Sequence, residues 1–446
     1  MLSPYRGILA LPGARAFTAW GLVARIQMGL TGLATFLMVQ IEYGRYEYGG
    51  LVLAAIAVSY AVISPQVGRL IDAHGQSRVL RWGYAIAILG RVAMIAAALT
   101  HQPLWVLLAI APLFAAGGTQ STHTRARWTH VVPDKHALNT AFSLESSLEE
   151  VLFIGGPALA TILATQVSSW LPSAIAVVTL AIGGYGFLAL RATEPPARRA
   201  DARRRQAAHA HGTALVIDGN LPRIGLPPQP RGLRRYLGAL RGHLLVTTPA
   251  LVITTAIFAT QGAMFASVDA ATVAFAEELG HKEWSGLVLA VWALGSLVGG
   301  LAYGSRVWAR TLASRLLWGV TVTGVGAVSF MFAPGLVALG VMMFLTGLAI
   351  APTMAVGDGV THALVPRSRL TEGMTWTRTG MDLGVAAGAW IGGAVIDRTG
   401  SHGGFVVTAV AGALGVVIAV SSWRYLRRKR AYDEQVTRDP SLPVAA

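Results

Sequence analysis

Several ionisable side chains stand inside long apolar runs of this chain. Arg25, Glu149, Asp269, Arg378 and Asp382 are the ones placed to do chemistry there. An ionisable group in such a run is costly and normally faces protein or water rather than lipid. Counted at about 1.5 Å per residue, Arg25 and Glu149 both fall about 14 Å deep, near the middle of an apolar layer about 30 Å thick. Two roles are open to this pair. Movement of the guanidinium, or arrival of a substrate, could load or release a proton on the carboxylate; alternatively the two form a fixed ion pair between helices. Arg378 and Asp382 lie one turn apart and read as a local pair. Asp269, with Gln261, is expected to line an outer mouth. Glu145 sits one turn below Glu149 on the same face, and Arg91 lies deeper in its own segment.

The segments that must position these groups are legible from composition. The chain has 446 residues, 54% of them hydrophobic and only 13% charged. Its mean hydropathy is +0.54. Soluble proteins carry about 25% charged residues, so a multi-span membrane protein is expected. The net charge of +15 could point to nucleic acid. The basic residues sit in membrane-flanking loops, however, and no nucleic-acid partner is expected. Cysteine is absent, which excludes a disulfide frame and Cys-based metal sites. Residues 1–15 hold Pro4, Arg6, Pro12 and Arg15 without an apolar stretch, so no cleavable signal peptide is expected.

Twelve apolar segments are each long enough to span. The first six run over about 16–41, 49–71, 79–99, 104–122, 139–165 and 171–190. The second six run over about 246–276, 284–303, 313–332, 335–364, 372–396 and 404–425. Loops alternate in charge. One side collects Arg6, Arg15, Arg69–Arg81, Arg125, Arg127, Lys135, the central insert, Arg306, Arg310, Arg315, Arg367, Arg369 and Arg424–Arg430. The other holds Arg45, Lys282 and Arg398 among Glu42, Glu47, Glu277, Glu278 and Glu283. The bias of basic residues towards the inner side predicts cytoplasmic termini in a plasma or inner membrane.

The two halves repeat. Gly50-Leu51-Val52-Leu53-Ala54 recurs as Gly286-Leu287-Val288-Leu289-Ala290, and Trp82-Gly83 falls on Trp318-Gly319 at the same spacing. The copies begin at helices of the same direction, so the repeat is parallel. Residues 1–191 form one six-helix half and 244–425 the other. Between them, 192–243 is an Arg- and Pro-rich linker with no capacity to bury a core; 426–446 is a tail. The basic segments are expected to meet the anionic inner leaflet.

One loop carries a motif. Gly68-Arg69-Leu70-Ile71-Asp72-Ala73-His74-Gly75-Gln76-Ser77-Arg78-Val79-Leu80 has the form G-x-L-x-D-x-x-G-x-x-x-V-L. Read alone, Gly68 lets backbones approach, Asp72 accepts from a helix start or Arg78, and Gly75 makes the turn. The pattern resembles the loop between helices 2 and 3 of major facilitator superfamily transporters. Ala73 and Gln76 stand where that family usually has basic residues. Gly155-Gly156-Pro157 resembles part of the signature of its antiporter branch. The family's arginine in helix 4 is missing, and the stretch reads Ala111-Pro112-Leu113-Phe114-Ala115-Ala116-Gly117-Gly118.

The resemblance implies an all-α membrane fold of twelve helices working by alternating access. Gly68, Asp72, Gly75 and Arg78 would then be a conformational switch, with Asp72 touching the start of helix 11 near position 372. Helices 1, 4, 7 and 10 would line a cavity, with Gln27, Gln40, Gln120, Gln261, Met264, Met354 and Asp358 as candidates. The expected function is proton-coupled efflux of a small organic or amphipathic compound, as in drug or sugar efflux permeases. Uptake is the alternative, and a transporter-like sensor or scaffold is the alternative of another class. No enzyme activity, cofactor or metal is expected: His123, His130 and His136 lack ligand spacing, and no G-x-x-x-x-G-K loop exists.

Overall fold

The computed structural model describes residues 3–132, 135–197, 248–304, 308, 310–365 and 370–438. The linker at 192–243 and the tail end beyond 438 therefore lie largely outside the described residues. Twelve helices among these are long and apolar enough to cross a membrane. They are α1 (Ala14–Tyr43), α2 (Tyr46–His74), α3 (Gln76–Leu99), α4 (Leu104–Val131), α5 (Lys135–Gln166) and α6 (Leu171–Ala189), then α7 (Pro249–Glu278), α8 (Ser285–Gly304), α9 (Leu312–Ser329), α10 (Leu336–Leu364), α11 (Leu370–Thr399) and α12 (Ser401–Arg438). No strand occurs among the described residues.

Two of the expected unbroken helices are interrupted. In α4 the first turns give way to a 3-10 stretch, Ala111–Gly117, before a new helix, Gln120–Val131. Pro112 removes a backbone donor there, and Gly118 takes a φ of 62° that turns the chain. α10 stops at Gly347 and restarts at Ile350. The restart of α4 carries the helix to Val131, well past the expected end at 122. Arg125 and Arg127, expected in a loop, are thus helical, and Arg127 is buried.

With an even number of spans, the start of α1 and the end of α12 share one end of the bundle, called proximal here. The loops at 44–45 and 279–284 lie at the other, distal end. One hydrophobic core occupies the distal region and draws on both halves: Leu30, Leu33 and Leu37 of α1 join Met264 and Val268 of α7 and Trp292 of α8. Proximally the cores separate. Phe17, Leu80, Tyr84, Trp128 and Phe187 cluster in the first half. Ile257, Leu316, Val320 and Val356 cluster in the second.

The distal seam is tight because glycines allow it. A Cβ on Gly50 of α2 would collide with the Ala389 carbonyl oxygen of α11. One on Gly286 of α8 would lie 2.5 Å from the Pro157 carbonyl oxygen of α5. Polar links close the same end. Asp397 accepts from the backbone N–H groups of Tyr46 and Glu47, each at 2.8 Å. The Tyr46 hydroxyl donates to Glu277, and Lys282 Nζ donates to Gln40 Oε1 at 2.6 Å.

Candidate charged site

Arg25 of α1 is the centre of a charged group inside the first half. Its Nη2 pairs with Glu145, its Nη1 lies 3.1 Å from Glu149 Oε1, and its Nε donates to the Gly21 carbonyl at 3.1 Å. Glu145 and Glu149 are one turn apart on α5, so a single guanidinium spans both. The restarted portion of α4 supplies the rest. Arg125 Nη2 lies 3.2 Å from Glu149 Oε2 and 3.2 Å from Ser146 Oγ. Trp128, one turn on, donates from Nε1 to Glu145 Oε1 at 2.6 Å.

Exposure grades across this group. The Arg25 and Glu145 side chains are 0% exposed, Glu149 is 17% and Arg125 is 34% exposed. Two carboxylates face two guanidiniums, so the set is charge-balanced. The inner pair is sealed and braced by an indole. The outer carboxylate is shared by two cations, one of which reaches solvent. Such a group can exchange a partner without disturbing the inner pair. Arg25 and Glu149 therefore do meet, but Arg125, Glu145 and Trp128 belong to the same site. The signal for them was the i, i+3 spacing of Arg125 and Trp128 in a polar segment that follows Gly117-Gly118.

The other candidate residues divide. Gln27 accepts from Arg91 Nη2 at 2.8 Å, and Arg91 also reaches the Tyr60 hydroxyl at 3.2 Å and lies over the Phe114 ring. Gln120 accepts from the Tyr84 hydroxyl at 2.7 Å. Gln261 donates to Thr323 Oγ1 at 3.1 Å. All three are buried, and they tie helices within a half rather than lining a cavity or, for Gln261, an outer mouth. Gln40 belongs to the distal latch, and Met264 is buried in the shared core. Met354 is half-buried on α10.

Arg378 makes no ion pair with Asp382 within 4 Å, although its charge still acts on that carboxylate. Its Nη2 lies 3.7 Å from Asp358 Oδ2, which joins α11 to α10. Asp382 and Asp269 are half-buried and make no hydrogen bond or ion pair with the described residues.

In the loop motif, Gly68 sits within α2 with nothing within 4 Å of its Cβ position, so it serves no close backbone approach. Asp72 and Arg78 are exposed at facing helix ends. Gly75 does make the turn, with φ 94°, and a Cβ there would lie 3.0 Å from Glu194 Oε1. The anchors of this turn are its neighbours. Ser77 donates from its backbone N to Glu194 Oε1 at 2.8 Å and from its hydroxyl to the same carboxylate. Gln76 donates to the His123 carbonyl and accepts from Arg127 Nε, each at 3.1 Å. The expected contact of Asp72 near position 372 falls on a side chain outside the described residues. The His136 side chain is likewise outside the description, and no cluster of His, Asp or Glu suited to a metal occurs among the described residues.

The fold matches solved transporters over nearly its full length. The structure of the nucleoside transporter NupG aligns with a TM-score of 0.66 at 15% identity, covering 92% of this chain and 98% of that one. The peptide transporter POT in complex with sulfate gives 0.64 at 14%, covering 94% and 95%. A bacterial homologue of the iron transporter ferroportin in an inward-facing state gives 0.61 at 14%, covering 92% and 98%. No curated protein sequence matches. The family model for the Major Facilitator Superfamily matches residues 19–343 and 315–445, and the chain belongs to that superfamily.

Proposed function

We propose that this superfamily transporter exports a small organic compound in exchange for protons, and that Glu149 is the proton carrier. The observation that carries the reading is the sharing of Glu149 between Arg25 at 3.1 Å and Arg125 at 3.2 Å. Protonation removes the carboxylate charge and leaves Arg125, one-third exposed, free to leave it. Arg25 keeps its buried partner Glu145 and stays in place. A proton can then change how α4 is held against α5 without opening the inner ion pair.

The halves supply the movement. They share a core and a polar latch distally, while their proximal cores are separate. This arrangement supports alternating access with the proximal side as the accessible one. The basic bias of the loops on that side supports a cytoplasmic orientation for it. Substrate would enter proximally, and rocking of the halves would require the Asp397 and Glu277 contacts to break.

The test is a compound accumulation panel in a host lacking its own efflux systems, comparing wild type with Glu149→Gln. Lowered accumulation that a protonophore and Glu149→Gln both abolish supports the reading. Faster entry of a solute would replace export with uptake. Export that persists unchanged in Glu149→Gln would remove Glu149 from the coupling.

A further inference from the structure

The first half buries another arginine that the charged site does not use. Arg91 of α3 is 3% exposed and stands about 12 Å from the distal end of its helix. Its Nη1 donates to the Ala87 carbonyl at 3.1 Å. Its Nη2 donates to Gln27 Oε1 at 2.8 Å and to the Tyr60 hydroxyl at 3.2 Å. The 3-10 stretch of α4 lays the Phe114 ring against the guanidinium, whose carbon lies 4.6 Å from the ring centroid. All of these neighbours are neutral. Arg91 Nε is buried and has no acceptor among the described residues.

Arg91 makes no ion pair among the described residues, whereas Arg25 meets two carboxylates. Glu42 is engaged by Ser169 and Glu194 by Ser77. A guanidinium does not shed its proton, so burial among neutral groups leaves its charge uncompensated.

A small cavity adjoins it. Arg91 and Phe114, with Thr35 of α1 and Ser173 of α6, line a space of about 10 Å³, room for one water-sized occupant. The Ser173 hydroxyl is buried and unpartnered. Thr31 also lines the space, with its hydroxyl donated to Gln27 Oε1 at 3.1 Å. The polar groups around the space are a guanidinium and hydroxyls, all able to donate, with no carboxylate among them. Water there would satisfy hydrogen bonds but not charge. A monoatomic anion does both, and polyatomic anions are too large.

The internal repeat shows that the fold does not need this polar space. At the spacing that sets Gly50 on Gly286, Arg91 falls on Ala327 and Thr35 on Ala271. Both alanines are fully buried in the shared core. The second half packs this layer with small apolar side chains, and the first half opens a donor-lined hole in it.

We propose that Arg91, Thr35 and Ser173 hold a chloride-sized anion inside the first half. The anion accepts from Arg91 Nε and from the two hydroxyls, and it ties α3 to α1 and α6. It supplies the negative charge that keeps Arg91 extended to Gln27 and Tyr60. The site is independent of the export reading and of Glu149.

The test uses the purified full chain in lipid nanodiscs, with thermal midpoints in sodium chloride, bromide, gluconate and sulfate at equal ionic strength. Chloride and bromide should raise the wild-type midpoint saturably by about 2–4 °C, and gluconate and sulfate should not. Arg91→Met should abolish the chloride response. Ser173→Ala and Thr35→Val keep the guanidinium and should raise the half-saturating chloride concentration several-fold. Should Arg91→Met fail to fold, these two variants decide the matter. A bromide anomalous peak beside Arg91 Nε would place the ion directly. Equal wild-type midpoints in chloride and gluconate overturn the proposal. So does a chloride response retained in Arg91→Met, or unchanged half-saturation in both hydroxyl variants. Water alone in the cavity of a bromide-soaked crystal would also overturn it.

Discussion

Asp397, in the last turn of α11, caps the first turn of α2 through the backbone N–H of Tyr46 at 2.8 Å. Its other oxygen takes the N–H of Glu47, also at 2.8 Å. A helix start carries partial positive charge and unpaired donors, which a carboxylate satisfies well. The cap comes from the opposite half of the molecule, so it forms only when the distal end is closed. Asp397 thus ties the two halves together at the distal end.

Asp397→Asn keeps an acceptor but loses the charge. It should cost the distally closed state about 1 kcal/mol, roughly a fivefold change in population. The natural absence of cysteine makes labelling simple. Spin labels at Gln102→Cys and His402→Cys, exposed distal positions, should move apart, and labels at His130→Cys and His362→Cys, exposed proximally, should approach. Unchanged distance distributions in both pairs would show that the cap does not latch the state.

The Gly50 crossing tests the same closure by sterics. Gly50→Leu places a side chain where the Ala389 carbonyl sits. The halves cannot then pack at this level, while α2 keeps its contacts within the first half. The proximal label pair should shorten more than in Asp397→Asn. A Gly50→Leu protein with wild-type distances would mean that the seam yields without separating the halves.

The charged site predicts an order of stability. Glu145→Gln leaves fully buried Arg25 with one partial partner, and breaking a buried pair costs about 3–5 kcal/mol. Glu149→Gln leaves Arg25 paired to Glu145 and Arg125 free to reach water, so its cost should be smaller. Thermal midpoints of the purified variants should fall in that order. A reversed order would contradict the division into a sealed inner pair and an exchangeable outer carboxylate.

The spans and the two-half repeat were readable because hydropathy and loop charge are properties of the chain alone. The breaks in α4 and α10 were not, although Pro112 with Gly118 and Gly347 ahead of Pro352 were there to be weighed. Arg125 and Trp128 were missed for a physical reason. The helix Gln120–Val131 is polar because it packs on carboxylates of α5 instead of lipid, so its composition looks like a loop. Arg378 and Asp382 have the right spacing for a pair, but only tertiary packing brings Asp358 to Arg378. Gln27, Gln120 and Gln261 show the same limit, since the neighbour that each glutamine meets depends on how helices cross. The glycine at 75 was read correctly as a turn, while its anchors, Gln76 and Ser77, depend on Arg127 and Glu194 far along the chain.

The most direct test of the account is proton-driven transport in proteoliposomes with an acidic lumen, using a compound drawn from the accumulation panel. Wild type should concentrate the compound inside as protons leave, and collapse of the pH gradient should stop it. Glu149→Gln should lose that concentration while still exchanging labelled for unlabelled compound downhill. Gradient-driven concentration by Glu149→Gln at the wild-type rate would contradict the central claim that Glu149, shared by Arg25 and Arg125, carries the coupled proton.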